Sequence, residues 1–264
     1  MNKKEKEDSL INDNRVNNFI TNNHTYKTDE SGTEYRETTP VKYRWSHGAT
    51  DSHMGDGLIV YSLIQFLKCK VCVCLGSGGG YIPRIMTQAR QDLHRQGIYD
   101  GDGSMEWGDI GTTILVDANN GVGGEPDYLK DDSFFREYFT PRIIIDTTEN
   151  AFYNFIVKED IWIDYLHIDA DHSEHGVHKD FDLYSKRLSE HGIVSIHDTD
   201  PSYEQEYIKT KDIKETHWDS FSGPQSFVSE IRKSEKWEVF NLFNNGILKT
   251  QPSSTGLTLI HRSK

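Results

Sequence analysis

Cysteine is sparse in this 264-residue chain: Cys69, Cys72 and Cys74 are the only three. Cys69-x-x-Cys72 has zinc-like spacing, but no second Cys/His pair follows at finger spacing, so buried thiols in a cytoplasmic protein are expected. Basic residues are also short. Lys and Arg number 29 against 42 Asp and Glu, for a formal charge of −13. A phosphate backbone needs a basic face, so no nucleic-acid partner is expected. Substrates should be neutral or cationic unless a metal or local basic residues recruit an anion. No run of 18 apolar residues occurs, which argues against a membrane-spanning helix. The opening MNKKEKEDSLINDN has no apolar signal core, so secretion is not expected either. There is no internal repeat. Hydrophobic residues make up only 35 %, yet the middle of the chain holds several apolar runs, enough for a core.

Residues 1–40 are rich in Asn, Lys, Glu and Thr and read as a mobile tail or loose cap beside a domain of residues 41–264. A Gly/His/Asp-rich loop, 43–57, leads into an apolar helix, 58–67. Short apolar runs at 69–75, 112–117, 142–146, 163–169 and 193–197 read as buried parallel strands. Helices are expected at 81–96, 127–138, 149–159, 173–189 and 224–234, and a final antiparallel strand pair at 237–243 and 255–261. Strands alternating with helices predict an α/β fold: a doubly wound, mostly parallel sheet.

Two places carry chemistry. The turn LGSGGGY sets Gly76, Gly78, Gly79 and Gly80 between strand and helix, where glycine lets a ligand touch the backbone and the helix start offers free N–H groups. A dinucleotide prefers G-x-G-x-x-G, but Tyr81 takes the third glycine position. S-adenosylmethionine, which has no pyrophosphate, tolerates the looser turn. Asp117, closing the second strand, would hold ribose hydroxyls of either cofactor. The segment LHIDADHSEHGVHKDFDLYSKRLSEHGIVSIHDTD reads as strand, helix, strand. It brings Asp169, Asp171 and His172 to the same sheet edge as His197 and Asp198, because neighbouring parallel strands lie about 4.8 Å apart. Such oxygen and imidazole groups suit Mg²⁺ or a related ion, which would lower the pKa of a substrate hydroxyl while a histidine removes its proton. Successive strand residues face opposite ways, so His197 and Asp198 share the ion only if the strand has already ended. His167 reads as a core histidine; His175, His178 and His191 read as solvated; Asp171 or Ser173 suits a helix cap.

Together these residues resemble a class I S-adenosylmethionine-dependent methyltransferase over about residues 55–262. The strand–helix–strand segment is similar to the metal-dependent sugar O-methyltransferase and cephalosporin-hydroxylase-like subfamily. That resemblance implies a seven-stranded Rossmann-like sheet with a terminal antiparallel strand. It implies Gly76, Ser77 and Gly78 at the methionine part of the cofactor, Asp117 at the ribose, Asp146, Thr147 and Thr148 near the adenine, and Asp169 as a further cofactor-binding residue. It also implies a Mg²⁺-type ion on Asp169, His197 and Asp198, with His172 as base beside Asp169. The subfamily has two acids where this chain has His197 and Asp198. The resemblance also implies the loop from His47 to Asp56, preceding the first strand, near cofactor and substrate, with His53 and Asp56 as weaker candidates within it, and Trp107, Tyr203 and Trp218 lie in loops able to stack on a sugar. The expected substrate is a sugar hydroxyl of a small-molecule, nucleotide-linked or polysaccharide precursor, in a cytoplasmic, carbohydrate-biosynthetic setting. Relatives in the group often assemble, so a homo-oligomer is also an expectation. The alternatives are an NAD(P)-linked oxidoreductase or epimerase, a metal-independent N-methyltransferase and a non-catalytic cofactor-binding protein. The missing third glycine and the lack of a Tyr-x-x-x-Lys pair on the helix after the fourth strand count against the first.

Overall fold

A computed structural model describes residues 19–51, 53–95, 111–118, 142–202, 222–243 and 254–263. The expected helix at 127–138, residues 1–18 and the loop aromatics Trp107, Tyr203 and Trp218 lie outside the described residues. After a hairpin of β1 (Asn22–Thr28) and β2 (Glu34–Pro40) come α1 (Asp56–Leu67), β3 (Val71–Leu75), α2 (Tyr81–Arg95), β4 (Thr112–Val116) and β5 (Arg142–Ile144). Then follow α3 (Thr148–Ala151), β6 (Ile163–Ile168), α4 (Glu174–Tyr184), β7 (Leu188–His197), α5 (Gly223–Ile231), β8 (Trp237–Leu242) and β9 (Leu257–Arg262). A π-helical turn, Phe152–Val157, extends α3.

The main sheet has seven strands in the order β5-β4-β3-β6-β7-β9-β8. The first five are mutually parallel, and β9 runs antiparallel between β7 and β8. From β3 the chain builds outward first to β4 and later to β6, so the sheet's topological switch lies between β3 and β6. Ligands of open α/β sheets bind outside the strand ends at that point.

Alternation along the strands divides the core in two. Cys72, Cys74, Leu115 and Tyr165 join Val60, Ile64, Ile85 and Met86 on the side of α1 and α2. Val73, Leu75, Ile114, Val116 and Leu166 join Val177, Phe181, Tyr184 and Phe227 on the side of α4 and α5. Both faces are covered, which is why these strands read as continuous apolar runs. Each fully buried Val, Leu or Ile is worth roughly 1.5–3 kcal/mol before conformational entropy is counted. All three cysteines are buried and free, as expected.

Two elements differ from the reading of the sequence. Residues 22–40, read from the sequence as part of a mobile tail or loose cap, pair as a hairpin whose register runs from Asn22 opposite Pro40 to Thr28 opposite Glu34. Its strands are largely exposed, so no apolar alternation marks them. The chain entering it is anchored instead: Ile20 is buried, and the buried Arg84 guanidinium donates to the carbonyls of Phe19 and Asn22. β7 also begins at Leu188 rather than Ile193, and the helix before it is correspondingly shorter. A register shift between Ile163 and Tyr165 lets Leu188 pair with Ile163 before the regular ladder starts. Among the described residues no helix is long and apolar enough to cross a membrane.

Candidate active site

The glycine turn leaves β3 at the switch point and is held between its neighbours. Gly76 N–H donates to Val116 O at 2.9 Å, and Asp169 N–H donates to Leu75 O at 2.8 Å. Gly76 has φ +78, and a Cβ there would stand 2.0 Å from Asp169 O. Only glycine permits that approach, so the glycine turn is seated directly on the backbone of Asp169. Gly78 has φ +47, and no atom lies within 4 Å of where its Cβ would be. One side of the turn therefore borders open space. Asp117 sits across it, 4 % exposed, and its Oδ2 accepts from Ser77 N at 3.2 Å and from the Ser77 hydroxyl. An open glycine face with a buried carboxylate opposite suits an adenosyl cofactor.

At the end of β5, Asp146 and Thr147 both serve the start of α3. Asp146 Oδ1 accepts from Thr147 N at 2.8 Å and Asn150 Nδ2 at 2.9 Å, while Thr147 Oγ1 caps the helix by accepting from Asn150 N. Ser173 caps α4 by accepting from Gly176 N, and Asp171 Oδ1 accepts from Ser173 N. Asp171 is thus used structurally.

Asp169, His172, His197 and Asp198 converge. His172 Nε2 lies 3.1 Å from Asp169 Oδ1 and 3.5 Å from Asp198 Oδ2. His197 Nδ1 lies 3.3 Å from both Asp169 Oδ1 and Asp198 Oδ1. The alternation problem is solved at the strand end: β7 stops at His197, and Asp198 adopts φ 56. Asp is among the few non-glycine residues that tolerate this left-handed conformation, and it turns both side chains into the site.

His197 is 2 % exposed, and its Nε2 lies 3.2 Å from the Ser46 carbonyl and 3.0 Å from Thr255 Oγ1. A carbonyl only accepts, so the Ser46 contact places a proton on Nε2. Burial works against protonation of His197, but the charges of Asp198 and Asp169 and the Asp169 hydrogen bond override it and push the pKa up to about 10. Burial likewise opposes ionisation of Asp169; the His197 charge and the hydrogen bonds from His172 and His197 hold it well below the usual carboxylate range. His172 is raised, since its hydrogen bond to Asp169 and the Asp198 charge outweigh burial.

The preceding loop, expected near cofactor and substrate, supplies a histidine that was not singled out from the sequence. His47 ends a single 3₁₀ turn, Arg44–His47, and its ring stacks on His197 with centroids 3.9 Å apart. Burial and the neighbouring His197 charge keep its pKa well below the usual value. A Cβ on Gly55 would stand 2.0 Å from His47 O, so the loop folds back on itself there. The signal was the glycine-rich loop, but the sequence singled out His53 and Asp56. His53 Nδ1 accepts from Gly55 N at 2.8 Å and serves the loop itself. Asp56 is 2 % exposed and accepts from the Ser254 hydroxyl; burial raises its pKa to about 6. His167 is a core histidine, its Nδ1 2.8 Å from Ser195 Oγ. His175 and His191 are exposed, while His178 is half-buried against Phe227.

Among the described residues, two donor trios share Asp169. One is His47, Asp169 and His197; the other is Asp169, His172 and Asp198. Within each, the ligand atoms lie within 4.8 Å of one another.

Residues 73–199 match the family model described as "Methyltransferase domain". Solved structures with a similar fold include an O-methyltransferase from Bacillus cereus in complex with SAH. It has TM-score 0.53 and 13 % identity, with 79 % of this chain and 80 % of that chain covered. Another is the O-methyltransferase TomG from Streptomyces achromogenes, involved in tomaymycin synthesis, in complex with SAM: TM-score 0.54, 10 % identity, 79 % and 80 % covered. A third is the SAH-bound methyltransferase PaMTH1 from Podospora anserina: TM-score 0.51, 13 % identity, 79 % and 78 % covered. No curated protein sequence matches. The chain is thus similar to methyltransferase domains over residues 73–199, and its strand order is that of a fold shared with solved O-methyltransferases.

Proposed function

We propose that the protein transfers the methyl group of S-adenosylmethionine to a hydroxyl of a sugar or glycosylated small molecule. In this reading Gly76, Ser77 and Gly78 receive the methionine part, Asp117 the ribose, and Asp146 and Thr147 border the adenine. The carrying observation is that Asp169, His172, His197 and Asp198 converge directly beside the glycine turn. Residues 19–40 act as a cap anchored on the domain through Arg84. Solved relatives in complex with SAH or SAM support the cofactor part of the reading.

The donor chemistry of Asp169, His197 and Asp198 fits a divalent ion. A bound divalent ion would supply Lewis acidity, lowering the pKa of the acceptor hydroxyl. His172, held between Asp169 and Asp198, takes the proton as general base. The acceptor oxygen forms its bond to the methyl carbon as the S–CH₃ bond breaks, and sulfur keeps the electron pair as a neutral thioether. One observation favours a second, metal-independent reading. His197, with its pKa raised to about 10, brings a positive charge to the same place. Transfer to oxygen or nitrogen that survives EDTA would select it.

The test is incubation with methyl-labelled S-adenosylmethionine, Mg²⁺ and a panel of sugars, nucleotide sugars and glycosides. Label should enter one acceptor class. His172→Ala and Asp169→Ala should each slow transfer about 100-fold or more, the usual scale for general acid–base groups. Unimpaired turnover in either variant would reject these roles.

A further inference from the structure

We propose that the resident ion of this site is held by His47, Asp169 and His197, and that it is a nitrogen-seeking transition ion of the zinc class rather than Mg²⁺. The inference rests on the metal-assisted reading above and changes both its ligand set and its ion.

Ion preference follows from donor chemistry. Mg²⁺ takes oxygen ligands in near-ideal octahedral geometry and keeps several waters. Imidazole suits zinc, iron, nickel and copper ions, and two imidazoles with one carboxylate form a set of that kind. His47, Asp169 and His197 present such a set, with ligand atoms within 4.8 Å of one another. Ligands about 2.1 Å from a shared ion stand roughly 3–4 Å apart, so small side-chain movements close the site.

His47 supplies the independent observation. It is 5 % exposed, and its Nδ1 is buried with no hydrogen-bond partner. A buried polar atom left unpaired costs about 1–3 kcal/mol, and such atoms call for a reason. A ligand role gives one. The His47 ring lies against that of His197, with centroids 3.9 Å apart, so both imidazoles stand together beside Asp169. His197 carries the orienting contacts typical of metal-bound histidine. Its Nε2 faces the Ser46 carbonyl and Thr255 hydroxyl, which leaves Nδ1 directed at Asp169. Ser46 adjoins His47, so one short turn supplies both a ligand and the carbonyl that orients the other. His172 and Asp198 form the other trio with Asp169 and are left to serve the acceptor.

The test uses chelator-treated full-length protein titrated calorimetrically with ZnCl₂ and with MgCl₂. One zinc per chain is expected, bound at least about tenfold more tightly than Mg²⁺. His47→Ala should weaken zinc by about tenfold or more while leaving circular dichroism and S-adenosylhomocysteine binding intact. His191→Ala, an exposed histidine, should leave zinc affinity unchanged. If His47→Ala does not fold, the Co²⁺-loaded wild type still decides: paramagnetically shifted resonances from two imidazoles are expected. Tighter Mg²⁺ binding, zinc affinity indifferent to His47→Ala, or one imidazole or none on Co²⁺ would overturn the proposal. Zinc bound at His47 in a protein that methylates no acceptor would leave the site standing and reject the functional reading instead.

Discussion

Asp169 is the residue on which most of the site depends. It closes β6, its backbone seats Gly76, and its carboxylate meets His172 and His197. Asp169 and Asp198 could be placed from sequence because strand ends on a parallel sheet share one edge. His47 could not. It reaches the site through loop geometry, and neither its stacking on His197 nor the Ser46 carbonyl leaves a pattern in residue order. Asp56 was visible as a candidate, but its environment was not. Its carboxyl is buried and raised to about 6, above an ordinary unfolded value near 3.8. A carboxyl raised on folding gives stability that is full below the unfolded pKa and lost as pH rises through the folded one. Asp56→Asn, which can still pair with Ser254, should therefore match wild type near pH 4. By pH 8 it should be more stable by about 1–3 kcal/mol in denaturant unfolding. A less stable variant at pH 8 would mean that the site requires the carboxylate.

At the scale of elements, the glycine turn divides into a packed part and an open part. Gly76 touches the Asp169 backbone, whereas Gly78 faces open space. Gly76→Ala should destabilise the fold by about 2 kcal/mol or more, because backbone must move. Gly78→Ala should cost only about 1–2 kcal/mol of backbone strain. It should nonetheless weaken S-adenosylhomocysteine binding about tenfold or more, since its methyl occupies the ligand's space. Denaturant unfolding and calorimetry on both variants separate the two effects, and the reverse order would mean the cofactor lies elsewhere. The core strands and α1, α2, α4 and α5 were recognisable from apolar runs and helical spacing. The hairpin of β1 and β2 was not, since its faces are largely exposed and its anchor is Arg84 bonding to backbone. The early start of β7 was hidden for a related reason. Leu188, Ser189, Glu190, His191 and Gly192 carry no strand pattern, and only Leu188 among them pairs with β6, opposite Ile163 ahead of the register shift.

Across the whole molecule, the strand order puts the glycine turn and the acid/histidine cluster on either side of one switch point. That arrangement follows from alternating strands and helices, so the fold could be reached from the chain alone, and the proposed cofactor class follows from it. The acceptor could not, because it is chosen by loops whose shape does not follow from residue spacing. The formal charge of −13 favours acceptors that are not polyanions, and any anionic group must be received locally. The cofactor itself is the central claim. It is tested most directly by calorimetric titration of the full chain with S-adenosylhomocysteine and, separately, with NAD. S-adenosylhomocysteine should bind one per chain, with affinity lowered by Asp117→Ala, and NAD should give no saturable heat. Saturable binding of NAD with none of S-adenosylhomocysteine would contradict it.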